Sequence, residues 1–392
     1  MKVICDRAAL ADAINLVSGA VAVRTPRPQL QCVKITATKE AGAGELILEG
    51  TDAEIGVRLS LSQVDVQEPG DVLVPADKLR QIVQAEDTEP TLTLDGNAEG
   101  FHIRSSFAHH EILGHPAGEF PAIPEFADVV SGSADHAKAR AVLTHPAGAL
   151  AAMVARTSFA TAKETSRYAI NGVLFKRDGK RLEMVATDGR RLALSRSNLT
   201  GSEKDAKPVQ CIIPSKALSM LMKLVREHDE PVQIAITDAQ ILFSFGTAGS
   251  PGRAVLTSNL VEGTFPPYDD VIPKDHDIKA TFDRDVLASR VKLASVLTNE
   301  ESRGVRFKFV GGKKPMELSS RAPEMGNSQV SVDLAGYEGG AIEIGFNPSF
   351  ISDVLKVIDE TQVVMELKSP TKPGIIKTGN DFLYVVMPVS LT

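Results

Sequence analysis

The 392-residue chain has no tryptophan, four tyrosines and three cysteines. Cys5, Cys32 and Cys211 are odd in number, far apart and without metal-ligand spacing. This excludes a disulfide framework and a zinc knuckle, and points to a reducing compartment. No apolar run approaches the roughly 18 residues of a membrane span. The opening MKVICDRAAL lacks a basic stretch followed by an apolar one, so neither membrane insertion nor secretion is expected and a cytoplasmic location is. The signatures of common chemistries are also missing: no Gly-x-Ser-x-Gly elbow, no Gly-x-x-x-x-Gly-Lys phosphate loop and no Gly-x-Gly-x-x-Gly fingerprint. His109, His110 and His115 are the nearest approach to a metal set. The alternation around Ile112 reads as a strand, however, and neighbouring strand residues point to opposite faces, so His109 and His110 cannot both join one site. No catalytic residue, metal ligand or cofactor is therefore expected.

What is present is a globular composition, 43% hydrophobic with a net charge of -7, in a chain long enough for two to four domains. The chain repeats itself. Asp6-Arg7-x-x-Leu10 returns as Asp283-Arg284-x-x-Leu287, each with an aspartate suited to cap a helix and apolar residues spaced for one helix face behind it. A strand end, a proline and a helix start recur at Pro75, Pro214 and Pro348, 139 and 134 positions apart. Three homologous domains follow, with boundaries expected at 1–130, 131–275 and 276–392 and linkers near 128–136 and 273–277.

Six helices are expected, over 7–19, 76–86, 146–160, 215–227, 284–297 and 348–358. Between them short alternating runs read as antiparallel strands: Leu46–Gly50, Thr91–Leu94, Gly172–Lys176, Val232–Ile236, Ile241–Phe245, Val305–Phe309, Ile342–Phe346 and Val363–Leu367. Asp95-Gly96, Asp178-Gly179, Asp188-Gly189 and Gly311-Gly312 mark turns between strands. The fold class is α+β, with two helices per domain. The six helices carry a net positive charge, so the excess acid resides in strands and loops. Such a split suits a protein that meets a polyanion on its helical face and repels it elsewhere, although solvated lysines and arginines on helices would produce it too.

Four segments then carry a family resemblance: Arg167-Tyr168-Ala169-Ile170-Asn171-Gly172-Val173-Leu174-Phe175, Val185-Ala186-Thr187-Asp188-Gly189-Arg190-Arg191-Leu192-Ala193, Phe265-Pro266-Pro267-Tyr268 and Tyr384-Val385-Val386-Met387-Pro388-Val389. With them the chain resembles, over essentially its whole length, the bacterial sliding clamp, the beta subunit of DNA polymerase III. The resemblance implies a DNA clamp fold: three topologically similar domains with sheets outside and helices inside. It implies a head-to-tail homodimer closing a six-domain ring around duplex DNA, and a processivity factor rather than an enzyme. The partners it implies are the polymerase III catalytic subunit, a clamp loader, and other polymerases and repair proteins that carry a clamp-binding peptide.

By matched position the resemblance also implies a peptide groove at the junction of the second and third domains. From the second domain it would take Ile170, Thr187, Gly189, Arg190, Arg191, Leu192, Pro266 and Val271. From the third it would take Asn347, Phe350, Thr371, Pro373, Val385, Val386, Met387, Pro388 and Val389. Asp270, Ser302 and Ser390 depart from the family pattern at its edge. Arg24 and Tyr168 match DNA-contacting loop positions, and Lys216 at a helix start is a further DNA candidate. At the ring joint, the Phe107–Ile112 strand would meet a partner edge near Arg303–Phe307, with Ile82, Val296 and Leu297 packed across it. Two rival readings remain open at this point: a repeat-built scaffold that never encircles DNA, and a metal-dependent enzyme around His109, His110 and His115.

Overall fold

The computed structural model describes residues 1–40, 42–96, 100–133, 137–164, 168–199, 207–225, 231–246, 253–298, 304–312, 314–322 and 326–390. The chain divides into two compact units, Met1–Ala151 with Lys216–Leu260, and Ala152–Ser215 with Val261–Thr392. Every paired strand is antiparallel. Among the described residues the helices are α1 (Arg7–Ser18), α2 (Ala76–Ala85), α3 (Phe126–Ser131), α4 (Ala147–Ser158), α5 (Ser215–Leu224), α6 (Arg284–Ala294) and α7 (Pro348–Lys356). None of the described helices is long and apolar enough to cross a membrane. All three cysteines are buried and unbridged, and burial pushes the Cys5 thiol up to about 12.

Capping explains where the repeated helices begin. Asp6 accepts the Ala9 N–H at 2.7 Å, and Asp283 accepts that of Val286 at 3.0 Å. Each satisfies an orphan donor of the first turn. Pro348 sits in the first turn of α7, where it removes no helical bond. Pro146 differs from expectation: it closes the strand Ala141–Pro146, and α4 starts one residue later.

The first unit holds a five-stranded sheet, in the order Val64–Glu68, Lys2–Asp6, Thr91–Gly96, Phe101–Arg104 and His109–Ile112. Its eight-stranded sheet runs Ala141–Pro146, Pro231–Ile236, Gln240–Phe245, Ala254–Asn259, Ile55–Leu61, Ala43–Thr51, Cys32–Glu40 and Gly70–Pro75. The pairing of Ala254–Asn259 with Ile55–Leu61 carries this sheet across the repeat. Helices α1 and α2 pack together with Leu10, Ile14, Val17, Leu79 and Val83 buried.

The second unit has a nine-stranded sheet: Val209–Pro214, Gly172–Asp178, Arg181–Thr187, Arg191–Asn198, Phe382–Val386, Gly374–Thr378, Gln362–Leu367, Ile278–Asp283 and Gly336–Glu338. A four-stranded sheet runs Gly326–Val332, Met316–Ala322, Val305–Phe309 and Ile342–Phe346. Helices α6 and α7 pack together, and α6 also contacts the outer strand 326–332 and its neighbour 316–322.

All eight expected strands and six expected helices form. Two further expectations fail. Of the stretch 128–136, read as a linker, residues 128–131 belong to α3, whose Phe126 and Val129 are buried against Ala235, Leu242 and Val255, and 134–136 lie outside the described residues. Asp95-Gly96 is not a turn: it ends the strand Thr91–Gly96, and the Gly96 N–H donates to the Met1 carbonyl at 2.8 Å. Composition marks both places as turn-like, but tertiary pairing claims them.

Candidate functional site

The hairpin between Arg181–Thr187 and Arg191–Asn198 turns on Asp188-Gly189-Arg190, a hairpin turn as expected. The Asp188 carboxylate accepts the N–H groups of Arg190 (2.9 Å) and Arg191 (3.0 Å), while Thr187 Oγ1 donates to the Arg191 carbonyl at 2.7 Å. Gly189 adopts φ 84°, a conformation that favours glycine. The strand leaving this turn pairs with the last strand of the chain, setting Leu192 opposite Val385 and Arg191 opposite Val386.

That register divides the candidate groove between two faces of one sheet, because successive strand residues alternate. On one face Leu192 and Val385 join Ile375, Ala169 and Tyr268 in a buried cluster, with Phe265 and Ile272 packed against it. On the other, the Arg191 side chain is only 10% exposed. Its Nε donates to Asp188 (3.1 Å), Nη1 to Asp353 of α7 (2.9 Å) and Nη2 to the Phe159 carbonyl (2.9 Å). The guanidinium also lies 4.5 Å from the Phe350 ring centroid. Burial works against its charge, but the Asp353 hydrogen bond together with Tyr384 and the Asp188 charge outweighs that and holds its pKa above the ordinary value. The Tyr384 hydroxyl donates to the Phe350 carbonyl at 3.0 Å, and burial raises its pKa.

The carboxyl-terminal run docks rather than fraying. The Met387 N–H donates to the Arg190 carbonyl and that of Val389 to the Gly345 carbonyl, each at 2.9 Å. Asn347 caps α7 by accepting the Ser349 N–H at 3.0 Å, one turn before Phe350. These contacts gather one patch at the end of the sheet. Val271 (50%) and Met387 (42%) are exposed on it, and Ile170, Pro266, Asn347, Phe350, Pro373, Pro388 and Val389 are half-buried. Gly189, Arg190 and Thr371 are exposed.

Five expected groove residues play another part, among them Thr187, which is 8% exposed with its hydroxyl engaged inside the hairpin turn. Leu192, Val385 and Val386 are at most 2% exposed, so they form the underside of the patch rather than a surface a ligand would touch. Arg191 spends its donors inside the protein and is unavailable to orient a ligand. Sequence reasoning missed its partners Asp353, Phe159 and Tyr384. The signal within reach was helical spacing, since Asp353 lies three residues after Phe350 on α7 and so on the same side of the helix.

Beside the patch, Lys176, Asp178, Arg181, Glu183, Arg196, Tyr268 and Asp269 line a charged cavity of about 180 Å³. Burial alone would push the Glu183 carboxyl up, but the hydrogen bond from Arg196 and the charges of Arg181 and Arg196 hold it below its usual range.

Of the DNA candidates, Arg24 is exposed in the loop after α1 and makes no ion pair among the described residues. Tyr168 is also exposed. Lys216, the second residue of α5, is tied by an ion pair to Asp52, whose side chain is 8% exposed. At the expected ring joint, His109–Ile112 is an outer strand, and Phe107 beside it is 68% exposed. Ile112 is 7% exposed and packs into its own unit, so it is not a surface contact. Ile82 is half-buried on α2, Val296 is exposed just past α6, and Leu297 is half-buried. Arg303 and Ser302 lie outside the described residues. The expected edge at Phe307 is corrected: Val305–Phe309 is bonded on both sides, and the outer strands of that sheet are Gly326–Val332 and Ile342–Phe346. Nε2 of His109 lies 3.2 Å from Nδ1 of His102. No three His, Cys, Asp or Glu side chains among the described residues are arranged to hold a metal ion.

Family models of the DNA polymerase III beta subunit match almost the whole chain: the N-terminal domain over 1–124, the central domain over 145–267 and the C-terminal domain over 269–390. A beta sliding clamp of Pseudomonas putida is 30% identical over 388 residues, covering 98% of this chain and 99% of its own. The crystal structure of the DNA polymerase sliding clamp of Bacillus subtilis matches with a TM-score of 0.89 at 25% identity, over 100% of this chain and 99% of its own. That of a Pseudomonas aeruginosa sliding clamp bound to griselimycin matches at 0.88 and 29% identity, over the full length of both.

Proposed function

The chain belongs to the DNA polymerase III beta subunit family, the sliding clamps, and from that premise we propose that it is a processivity clamp with no catalytic centre of its own. Two copies close head to tail into a ring around duplex DNA. Each joint sets the outer strand His109–Ile112 of one copy against the outer strand Gly326–Val332 of the other. Such a heterologous interface forms a ring because the rotation closes. Unpaired strand edges favour the pairing, and Phe107, Val296 and Leu297 supply apolar contact beside it. The domains are read as 1–130, 131–275 and 276–392.

The observation that carries this reading is the pair of outer strands, one in each unit, in a chain that matches sliding clamps from end to end. A ring tethers by topology, so its contacts to phosphate can stay weak and exchange as it slides. Arg24 and Tyr168 serve as such contacts. The patch of Ile170, Pro266, Val271, Phe350, Met387 and Val389 receives an apolar peptide of the polymerase, the loader or another replication or repair protein. The protein, once loaded on nicked circular DNA, stays bound in high salt and is released when the circle is cut. Equal retention on linear and circular DNA contradicts the tether.

A further inference from the structure

The peptide patch is bordered by two charges of opposite sign on separate elements. Arg190 stands exposed at the tip of the 187–191 turn, with its backbone carbonyl engaged by Met387. Asp270 stands exposed on the single 3-10 turn Tyr268–Val271, directly before the exposed Val271. Neither side chain forms an ion pair among the described residues. Their neighbours differ. Asp188 is engaged by Arg191, and Asp269 lines the charged cavity, whose cations Lys176, Arg181 and Arg196 it shares with Asp178 and Glu183. The apolar surface thus carries one uncompensated cation at the hairpin and one uncompensated anion at the 3-10 turn.

We propose that Arg190 and Asp270 make this groove polar end to end, so that it selects an extended partner peptide with a basic residue at the Asp270 end and an acidic residue at the Arg190 end. This rests on the groove reading above and adds to it the chemistry and direction of the occupant. The apolar segment supplies affinity, and the end charges set orientation and reject a reversed or like-charged sequence. Both groups are solvated, so each matched charge changes affinity about two- to five-fold, and added salt weakens the effect.

The test uses the full-length protein and fluorescently labelled synthetic hexapeptides with one neutral leucine- and phenylalanine-rich core. The core is made with no end charge, with lysine or glutamate at either end, and with the two charges in both orders. Fluorescence anisotropy is expected to rank one dipolar order tightest, its reverse weakest and the neutral peptide between them. Asp270→Lys should invert the preference for lysine over glutamate at one end, and Arg190→Glu the preference at the other. If the neutral peptide binds and charge order changes nothing, the inference falls while the groove reading stands. If no peptide binds, both fall. A preference that survives Asp270→Lys and Arg190→Glu also overturns the assignment to these two residues.

Discussion

Arg191 Nη1 donates to Asp353 Oδ2 at 2.9 Å, joining the hairpin at the groove to helix α7 across 162 residues of sequence. The same guanidinium holds Asp188 and stacks on Phe350, so one side chain fixes the turn, the helix and the ring that border the peptide patch. Replacing it by methionine takes one donor each from Asp188, Asp353 and the Phe159 carbonyl, while Asp188 keeps its two backbone donors and Asp353 keeps Lys356. The expected loss is about 2 to 4 kcal/mol of stability, read by urea denaturation. Arg191→Lys should recover only part of this, because an ammonium cannot bridge three acceptors in one plane.

Arg24 and Lys216 should separate in a salt titration of DNA binding. Arg24→Ala removes an unengaged cation and is expected to lower the slope of log affinity against log salt by about 1 without changing stability. Lys216→Ala strips the counter-charge from the largely buried Asp52, so its main effect is expected in thermal denaturation. Equal slope changes with no stability difference would show that Lys216 is as available to phosphate as Arg24.

The repeat is visible in atomic detail at two turns. Thr51 Oγ1 donates to the Ile55 carbonyl, and Asp52 accepts the N–H groups of Glu54 and Ile55, as Thr187 and Asp188 do at the groove. The Asn259 N–H meets the Glu54 carbonyl at 2.9 Å as that of Met387 meets Arg190. Ala53 then takes φ 75° where the counterpart is Gly189. Ala53→Gly is expected to stabilise the protein by about 1 kcal/mol in chemical denaturation, because glycine relieves the strain of that conformation.

Much of this architecture was legible from Asp6, Asp283 and the three prolines, because caps and turn residues act over a few positions. The groove was legible by family resemblance, but its division into surface and underside was not. That depends on Leu192 facing Val385 in a register set by strands almost 200 residues apart. The edge near Phe307, carried over by resemblance, misled for a similar reason: edge pairing needs no particular side chains, so the sequence does not reveal whether a strand lies inside a sheet or at its edge. Helix α3 was missed because its place near the end of the first third of the chain read as linker, while burial of Phe126 and Val129 stabilises a helix there.

His145 gives a pH dependence. It is 1% exposed, neither ring nitrogen has a hydrogen-bond partner among the described residues, and burial lowers its pKa below the ordinary 6.5. The folded state resists the proton that the unfolded state accepts, so this contribution is complete above about pH 6.5 and is lost as pH falls below it. The loss approaches about 1.4 kcal/mol per pH unit until the lowered native value is reached. In urea denaturation between pH 8 and 5, His145→Leu should lose less stability than the parent. Parallel curves would show that His145 is not the group responsible.

The ring itself is tested most directly by mass in solution, through sedimentation across a concentration series. The account predicts a species of about twice the 41.9 kDa chain mass that persists on dilution. Substitutions that place like charges on the outer strand Gly326–Val332 should convert it to monomer. A monomer at every concentration would contradict the closed ring and the topological tether built on it.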